Sequence, residues 1–167
     1  SAYFGAQDVF FKSEGAYTGE ISPKMLKSSN VDYVILGHSE RRKLGENDEV
    51  VNKKLKAVLE AGLKPILCVG EDEGQEKSQI LEAHLKEDLK GILSGKVKNI
   101  IIAYEPIFAI STNGGKNCSV EETITSVLMI KSTLTKLYSR EAADKVKILY
   151  GGSVDAKNAR SYLQENF

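Results

Sequence analysis

Two polar side chains stand directly after apolar runs, where α/β enzymes often place reacting groups. Glu105 follows the run at 100–104, and His38 follows the run at 34–37. If both runs are parallel strands, their carboxyl ends share one edge of a sheet, where catalytic residues gather. A carboxylate there could act as a general base, and a histidine at a helix N-terminus is pushed toward its neutral form by the helix dipole. From position alone, a structural carboxylate paired with a basic side chain and a structural histidine remain open alternatives.

Two glycine-containing segments could bind a small anion or cover it. The turn Tyr150-Gly151-Gly152-Ser153 follows an apolar run, and its glycines allow backbone N–H groups to point at an anion while Ser153 adds a donor. The stretch at 106–117 is typical of a mobile lid between a strand and a capped helix. A simple tight turn and an irregular connection are the alternative interpretations.

The elements that must position these residues alternate in type along the chain. Five apolar runs predict strands, near-continuous in the manner of parallel strands covered on both faces; they lie at 3–9, 33–37, 65–70, 100–104 and 147–150. Stretches of helical period lie between them, opened by Ser22-Pro23 and by a Ser119/Glu122 capping box, with apolar stripes at 50–59 and 80–92 and a last helix within 155–167. The pattern predicts a single α/β domain over residues 1–167, either part of a barrel or an open doubly wound sheet.

Composition narrows the classes of partner. The 167 residues carry 23 basic and 23 acidic side chains, so no net field favours nucleic acid or a membrane surface. No apolar run approaches the length of a membrane span, and no GxGxxG motif follows a strand. The two cysteines belong to no metal-binding pattern. We therefore expect a cytoplasmic protein that acts on a small molecule.

Four segments resemble the signature segments of the triosephosphate isomerase family, in that family's order and spacing. They are GHSERR at 37–42, AYEPI at 103–107, YGGSV at 150–154 and TGEIS at 18–22. The resemblance implies a partial (β/α)8 TIM barrel of about five consecutive parallel βα units, from the family's third strand to just past its seventh. It also implies interconversion of dihydroxyacetone phosphate and glyceraldehyde 3-phosphate, with no cofactor and no metal.

The resemblance also implies a role for individual residues. Glu105 would move a proton between adjacent carbons, and neutral His38 would polarise the carbonyl. The remaining residues follow by segment: Ser111 and Ser153 would bind phosphate, Glu40 and Tyr150 would support the site, and Thr18, Gly19 and Glu20 would enter a neighbouring subunit of a homodimer.

Several features depart from the family pattern. Phe108 stands where tryptophan is usual, Ser111 replaces a glycine, Asp8 replaces an asparagine, and residues 113–115 lengthen the lid tip. A complete barrel has about 250 residues, so we expect the family's first two strands, with an asparagine and a catalytic lysine, and its eighth strand to be missing. The chain alone is then expected to be inactive or very weak. Alternatives are a non-catalytic partial barrel that self-associates through exposed edge strands, and another phosphosugar barrel such as an epimerase.

Overall fold

The computed structural model describes residues 2–110 and 118–164, and its centre is one parallel sheet of five strands in chain order. The strands are β1 (Gly5–Ala6), β2 (Tyr33–Leu36), β3 (Lys64–Val69), β4 (Ile101–Tyr104) and β5 (Lys147–Tyr150). Each strand pairs in parallel with the next one along the chain. The prediction of five consecutive parallel βα units is confirmed. Within the described residues the sheet stays open, with β1 and β5 as its edges.

Eight α-helices occur in the described part of the chain, and they fill the connections between strands. They are α1 (Pro23–Ser28), α2 (Ser39–Lys43), α3 (Asp48–Glu60), α4 (Lys77–Asp88), α5 (Ser94–Val97), α6 (Val120–Leu137), α7 (Arg140–Asp144) and α8 (Ala159–Leu163), with a 3₁₀ turn at Ile107–Ala109. None of these described helices is both long and apolar enough to cross a membrane.

Helix starts follow the capping signals in the sequence. The Ser22 hydroxyl accepts a hydrogen bond from the Met25 N–H, and Pro23 occupies the first turn of α1. At α6 the Ser119 side chain accepts from the Glu122 N–H at 3.1 Å, and the Glu122 carboxylate accepts from the Ser119 N–H at 2.8 Å. The predicted capping box is confirmed, and it fixes the residue at which α6 begins.

The core lies between one face of the sheet and the helices. Along β2, Val34 and Leu36 are fully buried, whereas Tyr33 and Ile35 are only half-buried. This alternation differs from the expected burial on both faces, because the open sheet leaves its inner face uncovered in the described chain. The buried face meets an apolar layer from α3, α4 and α6: Leu55, Leu81, Leu85, Ile130 and Leu134.

The first and last elements are shorter than the sequence indicates. The predicted strand at 3–9 reduces to Gly5–Ala6, which pair with Tyr33 and Val34 of β2. As an edge strand, β1 has a neighbour on one side only, and Tyr3 and Phe4 before it are each 65% exposed. The last helix covers 159–163 of the predicted 155–167, of which 165–167 lie outside the described residues.

Candidate active site

The carboxyl ends of the strands bring the predicted reacting groups to one edge of the sheet. His38 lies two residues after β2, and Glu105 directly follows β4. Backbone hydrogen bonds extend the sheet past the strand ends: the Glu105 N–H donates to Val69 O at 2.8 Å, and the Gly151 N–H donates to Tyr104 O at 2.7 Å. The segment that begins at Glu105 is therefore fixed between β3 and β5.

His38 and Glu105 contact each other directly. The distance from His38 Nε2 to Glu105 Oε1 is 2.7 Å. Glu105 is 4% exposed, while the imidazole remains 31% exposed and so stays accessible to a ligand. Ser39 adds two more donors to the carboxylate, its N–H at 3.1 Å from Oε2 and its hydroxyl at 3.2 Å from Oε1. Ser39 had no assigned role from sequence, although it stands directly beside His38.

The backbone selects the tautomer of His38. His38 is the N-cap of α2, and its Nδ1 accepts a hydrogen bond from the Glu40 N–H at 3.2 Å. A nitrogen that accepts from an amide carries no proton, so the neutral ring is protonated at Nε2. The Nε2–H then donates to Glu105, and it is the group that can donate to a substrate oxygen instead.

Burial makes Glu105 a stronger base than an exposed glutamate. Removal from water raises the pKa of the Glu105 carboxyl above its ordinary value, and the Ser39 N–H and His38 oppose the rise without cancelling it. An acid with a raised pKa gives a conjugate base that takes up a proton more readily. The site therefore combines a buried carboxylate base with a neutral N–H donor.

Gly70 allows the end of β3 to lie close to the backbone of Glu105. A Cβ atom at position 70 would lie 1.7 Å from the Glu105 carbonyl oxygen and 2.6 Å from its carbonyl carbon. Both atoms belong to the backbone and cannot rotate away, so any side chain at position 70 would displace the Glu105 peptide.

A charged cluster behind His38 holds the segment that precedes it. Arg42 Nε donates to the Gly37 carbonyl at 2.8 Å, Nη2 donates to Asp88 Oδ2 at 2.9 Å, and Nη1 donates to Asp48. His84 Nδ1 lies 2.7 Å from Asp48 Oδ1. Possible metal-ligand atoms of Asp48, His84 and Asp88 lie within 4.8 Å of one another. Arg42 already bonds both carboxyl groups, and we interpret the group as a hydrogen-bonded cluster around the Arg42 guanidinium. No sequence motif indicated it.

Asp8 forms ion pairs with two basic side chains, which explains why an acidic residue is accommodated at this position. Its carboxylate lies 2.7 Å from Lys54 Nζ and 3.0 Å from Arg41 Nε, and Glu46 contacts the same two cations at 2.9 and 3.3 Å. Lys54 is only 3% exposed, so its ammonium depends on these carboxylates. A carboxylate at position 8 gives the cluster two acids and two bases, which an asparagine would not.

The other residues predicted for the site lie near it with different contacts. The Ser153 N–H donates to Ala109 O at 3.3 Å, which joins the glycine turn to the 3₁₀ turn after Pro106. The Glu40 carboxylate is 3.9 Å from His38 Nδ1 and largely exposed. The Tyr150 ring stacks on Tyr162 at 4.3 Å. Ser111 lies outside the described residues.

The segment predicted to enter a second subunit is an exposed turn. Thr18, Gly19 and Glu20 are all exposed, and the Glu20 N–H donates to Tyr17 O at 3.0 Å. Gly19 has a φ of +90°, which favours glycine at the tip. The turn at 18–20 therefore projects from the surface, and none of its described contacts is with His38 or Glu105.

Comparison with known proteins agrees with this geometry. The family profile described as triosephosphate isomerase matches residues 1–166. The chain is 46% identical to the triosephosphate isomerase of Thermoanaerobacter sp. (strain X514) and 47% identical to that of Thermoanaerobacter pseudethanolicus; each alignment covers 97% of this chain and 66% of the relative. The Fusobacterium nucleatum enzyme is 46% identical over 96% of this chain and 65% of its own length. The chain thus spans just under two thirds of the length of these relatives, and it belongs to the triosephosphate isomerase family.

Proposed function

We propose that this chain supplies the base and the hydrogen-bond donor for interconversion of dihydroxyacetone phosphate and glyceraldehyde 3-phosphate. The observation that carries the proposal is the 2.7 Å contact between His38 Nε2 and Glu105 Oε1, with Nδ1 of the imidazole occupied by a backbone N–H. This arrangement provides one proton acceptor and one neutral proton donor side by side. The names of the relatives, all triosephosphate isomerases, supply the substrate.

The reaction needs only proton movement between these groups. Glu105 removes a proton from the carbon beside the carbonyl while the His38 Nε2–H donates a hydrogen bond to the oxygen that gains negative charge. The same carboxyl group returns the proton to the neighbouring carbon. His38 gives its Nε2 proton to the former carbonyl oxygen and takes the proton of the adjacent hydroxyl, so the bonds broken and formed balance within the substrate. Neither a cofactor nor a metal takes part in this scheme. Substrate binding replaces the direct His38–Glu105 hydrogen bond, because the imidazole must turn its N–H to the substrate oxygen.

The remaining site residues take supporting roles in the proposal. Ser153 and Ser111 would bind the phosphate, and the backbone link from Ser153 to Ala109 supports this by tying the glycine turn to the segment that leads to position 111. Glu40 would support His38, and Tyr150 would hold the closed lid. The buried thiols of Cys68 and Cys118, both free, are consistent with a reducing cytoplasm.

We further infer that the chain corresponds to the family's third to seventh strands and is weak on its own. Five strands in order and a 66% share of the relatives' length support the span. In the described ranges no lysine forms an ion pair with Glu105 or a hydrogen bond with His38, so a cationic electrophile is lacking there. Loss of one such group costs several kcal/mol of transition-state stabilisation, with about 1.4 kcal/mol for each tenfold in rate.

A coupled assay of glyceraldehyde 3-phosphate isomerisation tests the proposal. We expect turnover by the purified chain to lie far below the roughly 10 s⁻¹ of a median enzyme. We also expect Glu105→Gln, which nearly preserves the shape of the side chain, to remove what turnover there is. A Glu14→Gln variant, changed at an exposed loop residue, is the matched control and should retain it.

Two results would contradict the proposal in different ways. Equal turnover in the chain and in Glu105→Gln would mean that the carboxylate is not the base. Turnover near ordinary enzyme values that is lost in Glu105→Gln would show that the base is right and that the inferred weakness is wrong.

A specific observation also favours self-association as a second candidate function. β1 and β5 each have one paired neighbour in the described sheet, and apolar side chains are exposed beside or on them: Tyr3 and Phe4 at 65% and Leu149 at 46%. Open edges with exposed apolar groups pair readily with another chain. We propose a homo-oligomer joined through these edges or through the exposed loop at 18–20.

A further inference from the structure

Four lysine side chains surround one cavity at the end of the sheet opposite His38 and Glu105. The cavity has a volume of about 410 Å³. We call it the lysine pocket, and its polar lining consists of Tyr33, Lys64, Lys96, Lys98, Asn99 and Lys147. No carboxylate belongs to the described lining, so the charged groups around this cavity are all cations.

The topology of the sheet explains why these lysines converge. Lys64 is the first residue of β3 and Lys147 the first residue of β5, while Lys98 caps the end of α5 just before β4. β3, β4 and β5 are parallel neighbours, so their amino ends lie at the same edge. Two strand spacings and an offset of two residues along the strand separate Lys64 from Lys147, because Lys147 lies level with Ile66, so their backbones are about 12 Å apart. The pocket is wide enough for a ligand that contacts both sides.

The charges in the lysine pocket are not neutralised by the protein. In the part of the chain that the structure describes, none of its four lysines forms an ion pair. The Lys64 ammonium lies beside two aromatic rings, with its Nζ 5.2 Å from the Tyr33 ring centre and 5.8 Å from that of Tyr3. By contrast, buried Lys54 contacts two carboxylates. Like charges around one cavity repel, and an anion between them would relieve that repulsion.

Neutral donors complete the lining. The Asn99 side-chain amide and the Tyr33 hydroxyl form no hydrogen bond with another described residue, and both border the cavity. An amide and a hydroxyl beside ammonium groups match the oxygens of a phosphate, which accept several hydrogen bonds at once. The contacts with Tyr3 and Tyr33 restrict the conformations of the Lys64 side chain, so less side-chain entropy is lost when an anion binds.

We propose that the lysine pocket binds a small anion with two or more phosphate groups. The spacing of the lysines across three strands favours such an anion over a single phosphate. The four-residue strand β4 separates this edge from the catalytic edge by about 13 Å, and no residue of the pocket belongs to the proposed catalytic pair. The inference therefore does not depend on the proposed function.

Calorimetric titration of the 167-residue chain with tripolyphosphate at fixed ionic strength tests the proposal. We expect the Lys98→Gln/Lys147→Gln variant to bind about tenfold or more weakly, because two charge-assisted contacts are lost. The Lys24→Gln/Lys131→Gln variant removes the same charge from α1 and α6, outside the pocket, and should stay within about twofold of the parent. Glutamine should be tolerated at all four positions, because Lys24, Lys98 and Lys147 are exposed and Lys131 lies in a helix, where glutamine has a good propensity. If circular dichroism shows that the first variant is unfolded, Lys96→Gln/Lys98→Gln replaces it.

Amide NMR shifts locate the bound anion. Shifts at Lys64, Asn99 and Lys147 on addition of tripolyphosphate would support the proposal. Shifts confined to 151–153 would overturn it, since the anion would then occupy the predicted substrate edge. Equal weakening in both double variants would also overturn it, because net charge alone would explain binding. Binding to vesicles that contain phosphoinositides, without binding to free tripolyphosphate, would assign the lysines to a membrane surface and reject a small anion.

Discussion

Asp88 is the carboxyl group whose surroundings oppose ionisation most clearly in the charged cluster behind His38. It is fully buried, and its Oδ1 has no hydrogen-bond partner in the described chain, while Oδ2 accepts from Arg42. Burial raises the pKa of Asp88 to about 8, and the attraction of Arg42 offsets only part of that effect. At neutral pH the folded chain therefore holds a protonated carboxyl group where the unfolded chain holds a carboxylate.

This difference predicts a pH-dependent stability. An unfolded aspartate ionises near pH 4, so between about pH 4 and pH 8 the unfolded state releases a proton that the folded state keeps. The Asp88 contribution to the free energy of unfolding should fall by about 1.4 kcal/mol per pH unit in this window and level off above it. Urea unfolding of the parent chain and of Asp88→Asn, which cannot ionise, measures the contribution as a difference.

The control for this prediction is Asp144→Asn, because the Asp144 carboxylate is 64% exposed at the end of α7. Its stability difference from the parent should be nearly independent of pH. A parallel pH dependence for Asp88→Asn and the parent would show that Asp88 is ionised in the folded chain.

The sequence alone predicts the position of some site residues but not the contacts of others. The position of Glu105 and His38 at one edge of the sheet can be predicted because each follows an apolar run, and the carboxyl ends of parallel strands share one edge. Ser39, Asp48 and Asp88 were not predicted, because their roles depend on contacts between segments far apart in the chain. Asp88, for example, meets Arg42 across 46 positions, and nothing local to α4 indicates that contact.

At the scale of elements, α6 depends on the packing of one face. Leu134 is fully buried among the apolar side chains of the core, whereas Leu128 on the same helix is 62% exposed. Buried leucine side chains stabilise by removal from water and by close contacts, which an alanine cannot replace.

The two leucines give a matched pair of substitutions. Leu134→Ala should lower the free energy of unfolding by about 2–5 kcal/mol. Leu128→Ala changes helix propensity identically and should alter it by less than about 0.5 kcal/mol. Chemical denaturation followed by circular dichroism measures both, and similar losses would mean that α6 does not pack on the sheet as described.

Elements with local signals were predicted well, and elements that depend on neighbours were not. The capping box at Ser119 and the proline after Ser22 fixed two helix starts because both signals act within one turn. β1 was predicted as seven residues from its apolar character, yet only two residues find ladder partners on β2. Strand length is decided by the partner strand, which the local sequence does not contain.

At the scale of the whole molecule, the described sheet has two open edges, and the proposed self-association depends on them. Leu149 on β5 is 46% exposed, at a position where a charge would oppose edge pairing. Sequence predicted the number and order of strands, because alternation of strand and helix is periodic along the chain. It could not show which surface covers the edges, since that depends on contacts beyond a single chain.

A charge on the edge strand should therefore weaken self-association. We expect the parent chain to sediment with a coefficient that rises with concentration, and Leu149→Lys to remain closer to a monomer over the same range. Leu93→Lys, changed at a 72% exposed leucine before α5, adds the same charge away from the edge and should behave as the parent does. Sedimentation velocity of the three proteins tests whether the chain self-associates through this edge. A parent chain that stays monomeric at all concentrations would rule out edge pairing.

The contact between Gly70 and the Glu105 backbone has a consequence for saturation mutagenesis. At position 105 a selection for the proposed isomerase activity should reject variants that still fold, since the proposal assigns proton transfer to this carboxylate. At position 70 the same selection would reject alanine, the smallest alternative, because its methyl group has no room beside the Glu105 carbonyl. A screen that scores folding separately from turnover would thus distinguish the two positions. Substitutions at position 105 would remove turnover but not folding, whereas substitutions at position 70 would disturb the backbone, and this steric constraint can be identified without knowledge of the reaction.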